Sequence, residues 1–232
     1  MEEELAKHSK KIFMTLKNSK KLFSEKLKEV FIEIFIIVFS VTLSIWLHGR
    51  SLHTHQQKET KEFLSDLKSD LFKDIKSVSE KEIQMSNTIQ QYSYLSNLTD
   101  KRIDSITNKK GEINMNVSYV IKTTNDGNYE GFKSSGKIGY IENKKLKKLI
   151  LEYYQEGMPS INETENYFNL RMGKIEDLIF LDKDKKKKLL DPSLKMYFNV
   201  VIKTAQNNIK NYKSISKEAK GIISEILKEE KK

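Results

Sequence analysis

The run from Val30 to Leu47, VFIEIFIIVFSVTLSIWL, constrains this chain more than any other feature. At a rise of ~1.5 Å per residue it makes a helix of about 27 Å, close to the hydrocarbon thickness of a bilayer. The rest of the chain is rich in lysine, and the mean hydropathy over the whole is −0.59. Such a run reads as a single membrane-spanning helix with most of the protein's mass outside the bilayer. A cleaved signal peptide fits less well, because 29 residues precede the run and Ser44-Ile45-Trp46-Leu47-His48 offers no small-residue cleavage site. A buried core helix is the remaining rival, and the length of the run argues against it.

The flanks give the span a direction. Lys10, Lys11, Lys17, Lys20, Lys21, Lys26 and Lys28 lie within twenty residues before it, against Arg50, Lys58 and Lys61 after it. The positive-inside rule then places the N-terminus in the cytoplasm and the C-terminal part outside, as a signal anchor in a cell inner membrane. Trp46 stands at the far end, where an indole anchors at the interface. Glu33 sits about one turn inside the near end, where its carboxyl reaches back to the head groups or makes a polar contact with a partner helix.

A net charge of +10 raises the question of nucleic acid, but of 42 basic residues only Arg50, Arg102 and Arg171 are arginine. Bidentate phosphate and base contacts favour arginine, so the lysine excess reads as a solvated surface and no nucleic-acid partner is expected. Attraction to anionic lipid is the better reading of the N-terminal lysines. The chain has no cysteine, which rules out disulfides and thiolate metal sites.

Beyond the span the pattern is helical. Leu64, Leu67, Leu71, Ile75, Val78, Met85, Ile89, Tyr92, Leu95 and Leu98 recur at steps of three and four, with neither proline nor glycine between Arg50 and Lys110. One helix is predicted to leave the membrane and end near Asn108–Gly111. Residues 111–141 are the least helical. Val117, Tyr119 and Ile121 give a weak strand signal, and Asn125-Asp126-Gly127-Asn128 reads as a turn. Asn128 is the expected cap of a short helix over 129–135 that Gly136 closes in the left-handed conformation.

Three helices are expected after that. Residues 143–156 align Leu146, Leu149, Ile150 and Tyr153, and Gly157-Met158-Pro159 reads as a break. Ser160 with Glu163 reads as a capping box for a helix carrying Ile161, Phe168, Met172, Ile175 and Ile179. Residues 182–188 read as a solvated turn or a frayed helix end. Asp191 and Pro192 open the last helix, whose face runs from Leu194 through Phe198, Val201, Ala205, Ile209 and Tyr212 to Ile226. The expected fold is all-α: a basic segment over 1–29, a transmembrane helix over 30–48, and over 49–232 an elongated antiparallel helical bundle with a short irregular or hairpin segment near 111–141.

Two blocks of sequence are similar to one bacterial family. The first is Glu33-Ile34-Phe35 through Leu47, followed by Phe63-Leu64-Ser65-Asp66-Leu67-Lys68-Ser69-Asp70-Leu71; the second is Tyr129-Glu130-Gly131-Phe132-Lys133-Ser134-Ser135-Gly136-Lys137-Ile138 with Ile141, Leu146 and Tyr153-Tyr154. Over residues 29–157 the chain resembles small single-pass membrane proteins, mainly of Bacteroidota, known only as a domain of unknown function. It departs where the family has glycine before the span's glutamate and an asparagine-rich exit, having Val30-Phe31-Ile32 and Trp46-Leu47-His48 instead. The resemblance implies architecture and location and carries no chemistry.

Catalytic patterns are scarce. The four histidines are His8, His48, His53 and His55, so no histidine base is available after position 55. No phosphate-binding loop, GxSxG or dinucleotide fingerprint is present. His48, His55 and Glu59 fall on one helical face, a weak candidate for zinc or for a pH response in a dimer, set against a plain interfacial collar. Asp66, Asp70 and Asp74, interleaved with Lys68, Lys73 and Lys76, read as a charged solvent face. No cofactor or enzymatic activity is expected. The leading reading is a membrane-anchored helical scaffold or interaction protein, as a homo-oligomer or with another membrane protein. A ligand-sensing bundle acting through a partner is the alternative.

Overall fold

A computed structural model describes residues 2–106, 115–122 and 125–231, and before position 30 the side chains of Lys10, Met14, Phe23, Glu25, Leu27 and Lys28 only. Its elements are α1 (Glu2–Ser96), a 3-10 turn (Asp100–Ile106), α2 (Gly127–Ser134), a second 3-10 turn (Lys137–Tyr140), α3 (Lys144–Glu152), a π turn (Tyr153–Gly157), α4 (Met158–Phe180), α5 (Lys185–Leu190) and α6 (Pro192–Glu229). The fold is all-α, with no strand among the described residues. The chain divides into two units, Met1–Gln56 and Gln57–Lys232.

The first unit has no core of its own among the described side chains. Every residue from Val30 to Leu47 is exposed. α1 is long and apolar enough there to cross a membrane: its most apolar window has a mean hydropathy of 2.5 and none of it is buried.

The second unit is a bundle of three long helical pieces closed around one core. Leu67, Leu71, Met85 and Tyr92 of α1 are fully buried with Phe168, Ile175 and Ile179 of α4 and Phe198, Val201, Ala205, Tyr212 and Ile226 of α6. Side-chain contacts fix the directions. Lys68 pairs with Glu230, and the rings of Tyr92 and Phe198 lie 5.3 Å apart, so α1 and α6 run antiparallel. Tyr153 bonds Asp74 and Lys81 pairs with Glu165, so α1 and the α3–α4 rod run parallel.

Several local expectations change. Gly157-Met158-Pro159 does not break the chain, because the π turn joins α3 to α4. Proline lacks an N–H and crowds the carbonyl four residues back; a wider turn absorbs both defects, with Met158 N–H donating to the Tyr153 carbonyl. Gly157 sits where α6 comes close: a Cβ there would lie 2.6 Å from Ile215 Cδ1. Ser160 and Glu163 therefore lie inside a helix and form no cap. Residues 185–190 are a short helix capped by Asp184, which accepts from Lys187 N–H at 3.0 Å, and Leu189 anchors it in the core. α1 stops at Ser96, and the end near Asn108–Gly111 lies outside the described residues. Gly136 does adopt φ 74°, and Asp191 does cap α6, accepting from Ser193 N–H at 2.8 Å.

Candidate functional site: an apolar belt and a laced return segment

The apolar belt of α1, residues 30–47, carries four polar side chains, Glu33, Ser40, Thr42 and Ser44. Thr42 Oγ1 donates to the Val38 carbonyl at 2.7 Å, which lets a hydroxyl sit in an apolar medium. Phe35 and Phe39 stack at 6.0 Å. At the far end the Arg50 guanidinium lies 5.6 Å from the centre of the Trp46 ring, a cation–π pair one turn apart. Glu33 is exposed, like its neighbours.

His48 and His55 are exposed and belong to the first unit, whereas Glu59 belongs to the second. There Glu59 Oε1 accepts from Lys137 Nζ at 2.6 Å, and this bond holds the lysine's pKa above its usual value. Among the described residues no group of three metal-ligating side chains is gathered.

The second unit holds an arrangement that the residue pattern did not announce. Between α1 and α3 the chain returns along α1, and side chains of α1 lace it down. Gln91 Nε2 donates to the Asn116 carbonyl at 2.7 Å and Gln84 Nε2 to the Tyr119 carbonyl at 3.0 Å. Asp74 accepts from Asn125 Nδ2 at 2.7 Å and Asp70 from Asn128 Nδ2 at 2.6 Å. Phe63 stacks on Phe132 at 3.9 Å, and Gln57 Nε2 donates to Glu142 at 3.1 Å. The weak strand signal at 117–121 has its explanation here: the segment is extended, but its partner is a side chain. Asn169 of α4 takes the N–H of Val120 and donates to its carbonyl, both at 2.8 Å, as a neighbouring strand would.

Asp70 and Asp74 are buried, so the expected charged solvent face holds only for Asp66. Asp74 Oδ2 also accepts from Tyr153 Oη at 3.0 Å. Burial holds the Asp74 carboxyl above its ordinary range, against the opposing effect of its hydrogen bonds. Burial and the nearby Asp74 charge push the Tyr153 hydroxyl up, so it stays a neutral donor. Tyr154 stacks on Tyr129 at 4.3 Å, and its hydroxyl is likewise raised by burial. Asn128 thus serves the latch rather than capping α2, whose Asp126 cap makes no side-chain bond. Each carboxylate oxygen of the pair is engaged, an arrangement suited to holding a turn.

Deeper in the bundle, Lys81 Nζ meets Glu165 Oε1 at 2.8 Å, and Tyr212 Oη donates to the same oxygen at 3.0 Å. Glu165 Oε2, the Tyr92 hydroxyl and both amide atoms of Asn208 find no hydrogen-bond partner among the described residues. A cleft of about 300 Å³ opens at one end of the unit, between α1, the start of α3 and the end of α6. Its buried lining is Thr60, Leu64, Ile141, Leu146 and Ile226, and its polar lining includes Lys61, Glu142 and Glu230. Asn143 both caps α3, accepting from Leu146 N–H at 3.0 Å, and donates to Glu229 at 2.6 Å beside the cleft.

No family model, curated protein or solved structure matches the chain.

Proposed function

We propose that the protein is a single-pass membrane anchor carrying a helical interaction domain, with its N-terminus in the cytoplasm and its bundle on the far side of an inner membrane. The observation that carries this reading is the contrast within α1. From Val30 to Leu47 its side chains are mostly apolar and all exposed, whereas from Phe63 onward most of its apolar side chains close a core. Fourteen of these eighteen uncovered residues are apolar, which is costly in water, and a bilayer of about 30 Å accommodates them. The Trp46–Arg50 pair and the lysine bias suit the two interfaces.

The buried polar groups of the bundle support a scaffold role rather than catalysis. Asp70 and Asp74 are spent on internal hydrogen bonds, and the sequence after His55 offers no histidine base. The bundle then contacts another copy or another envelope protein. Crosslinking of the full-length protein in its membrane is expected to capture a discrete oligomer or partner. A strictly monomeric, partnerless protein in that assay would overturn the reading.

One observation favours a second role. The cleft between α1, α3 and α6 has an apolar lining with polar groups beside it, the composition of a small-molecule site. A ligand screen by thermal shift, with Leu64→Trp as the filled-cleft control, separates sensing from scaffolding.

A further inference from the structure

Ahead of the belt, α1 carries Leu5, Ile12, Leu16, Phe23 and Leu27, at alternating steps of seven and four residues. An eleven-residue repeat advances at about 3.67 residues per turn, so these positions form one nearly straight stripe. Phe23 and Leu27 are exposed, at 69% and 40%. Lys7, Lys10, Lys11, Lys17, Lys21 and Lys28 fall on the opposite half of the helix by register, and Lys20 and Lys26 flank the stripe. From Leu5 to Ser24 the sequence holds Lys7, Lys10, Lys11, Lys17, Lys20 and Lys21 and no carboxylate.

We infer that the Leu5–Leu27 stripe docks on the anionic head-group surface of the membrane that the belt crosses. The inference rests on the anchor reading above. Charge complementarity selects this occupant. A second copy laid along the stripe in parallel would oppose two lysine-rich segments with no aspartate or glutamate between Leu5 and Ser24 to pair them. An anionic surface satisfies both halves of the helix at once: the stripe enters the boundary between head groups and acyl chains, and the lysine stems lift their ammonium groups to the phosphates. The belt delivers the segment to that surface, because the stripe ends at Leu27 and the span begins at Val30. α1 runs unbroken from Glu2 to Ser96, so docking requires the helix to bend between Leu27 and Val30.

The chain has no cysteine, so a single introduced cysteine reports one site. Full-length protein with a nitroxide at Leu16→Cys, Lys17→Cys or Ile37→Cys is reconstituted in nanodiscs of phosphatidylcholine, with or without phosphatidylglycerol. Collision with a water-soluble nickel reagent is then measured. With phosphatidylglycerol, the label at 16 is expected to be shielded about tenfold relative to that at 17, and less in neutral discs. Lys7→Glu, Lys10→Glu and Lys21→Glu together are expected to shift the docked-to-free ratio at least about a hundredfold. Equal access at 16 and 17 in anionic discs, with 37 shielded, overturns the docking and leaves the anchor intact. Dipolar broadening at 16 between copies, with shielding independent of lipid charge, overturns it in favour of a second copy. Free access at 37 overturns the anchor reading itself.

Discussion

Lys81 and Glu165 offer the most quantitative test of how the bundle is held. Their side chains are 8% and 2% exposed as residues and meet at 2.8 Å, with Tyr212 on the same carboxylate oxygen. Taking two charges out of water costs several kcal/mol per ion, and their attraction returns that only while both are present. Lys81→Met strands a carboxylate whose second oxygen already lacks a partner among the described residues, and Glu165→Leu strands an ammonium. Each single replacement is expected to destabilise by about 3–5 kcal/mol. The double replacement packs apolar side chains together and is expected to lie near the parent or above it, by about 0–4 kcal/mol. Thermal unfolding of the Gln57–Lys232 unit, followed by circular dichroism, reads this directly, at about 2–4 °C per kcal/mol for a domain of this size. Single variants within about 1 kcal/mol of the parent, or a double variant as unstable as the sum of the singles, would refute the idea that the pair is sealed from water.

Three further outcomes follow from the same bundle. Asn208→Leu removes two buried amide atoms without partners among the described residues and is expected to raise stability by about 1 kcal/mol, measured by denaturant midpoint. Asn169→Ala unclips Val120; a cost of about 1–2 kcal/mol is expected, with faster amide exchange confined to residues 115–122. The pH dependence has two signs. Asp74, raised by burial, contributes most below its unfolded value of 3.8, and that contribution is lost as pH rises through its higher folded value. Asp191, lowered by the Ser193 N–H and then by Lys188, contributes above 3.8 and loses it as pH falls through its lower folded value. The stability gap between parent and Asp191→Ala is therefore expected to narrow on acidification below about pH 4; a gap that widens would contradict the assignment.

The apolar periodicity of α1 and α6 is plain in the sequence because each buried position repeats at three or four residues, and the Asp191-Pro192 start is a local signal that tertiary contacts do not override. The polar residues inside those same stripes are harder to read. Asp74 lies between Leu71 and Val78, Lys81 between Val78 and Met85, Glu165 between Ile161 and Phe168, and Asn208 between Ala205 and Tyr212. A count of apolar residues passes over them, yet their register already places them inside. The return segment was illegible for another reason. Its backbone partners are Gln84, Gln91 and Asn169, long-range side-chain donors and acceptors that leave no local pattern near 115–122. Gly157 and Pro159 together resemble a helix break in sequence, and the π turn that replaces it carries the buried Tyr153 and Tyr154 and places Gly157 against Ile215.

The central claim is that residues 30–47 hold the chain in a bilayer while the bundle folds outside it. Alkaline carbonate extraction of membranes from cells making the full-length protein tests this directly, with a chain lacking residues 30–47 as the comparison. The full-length chain is expected to stay with the membrane pellet and the shortened chain to appear in the supernatant. Release of the full-length chain into the supernatant would contradict the account.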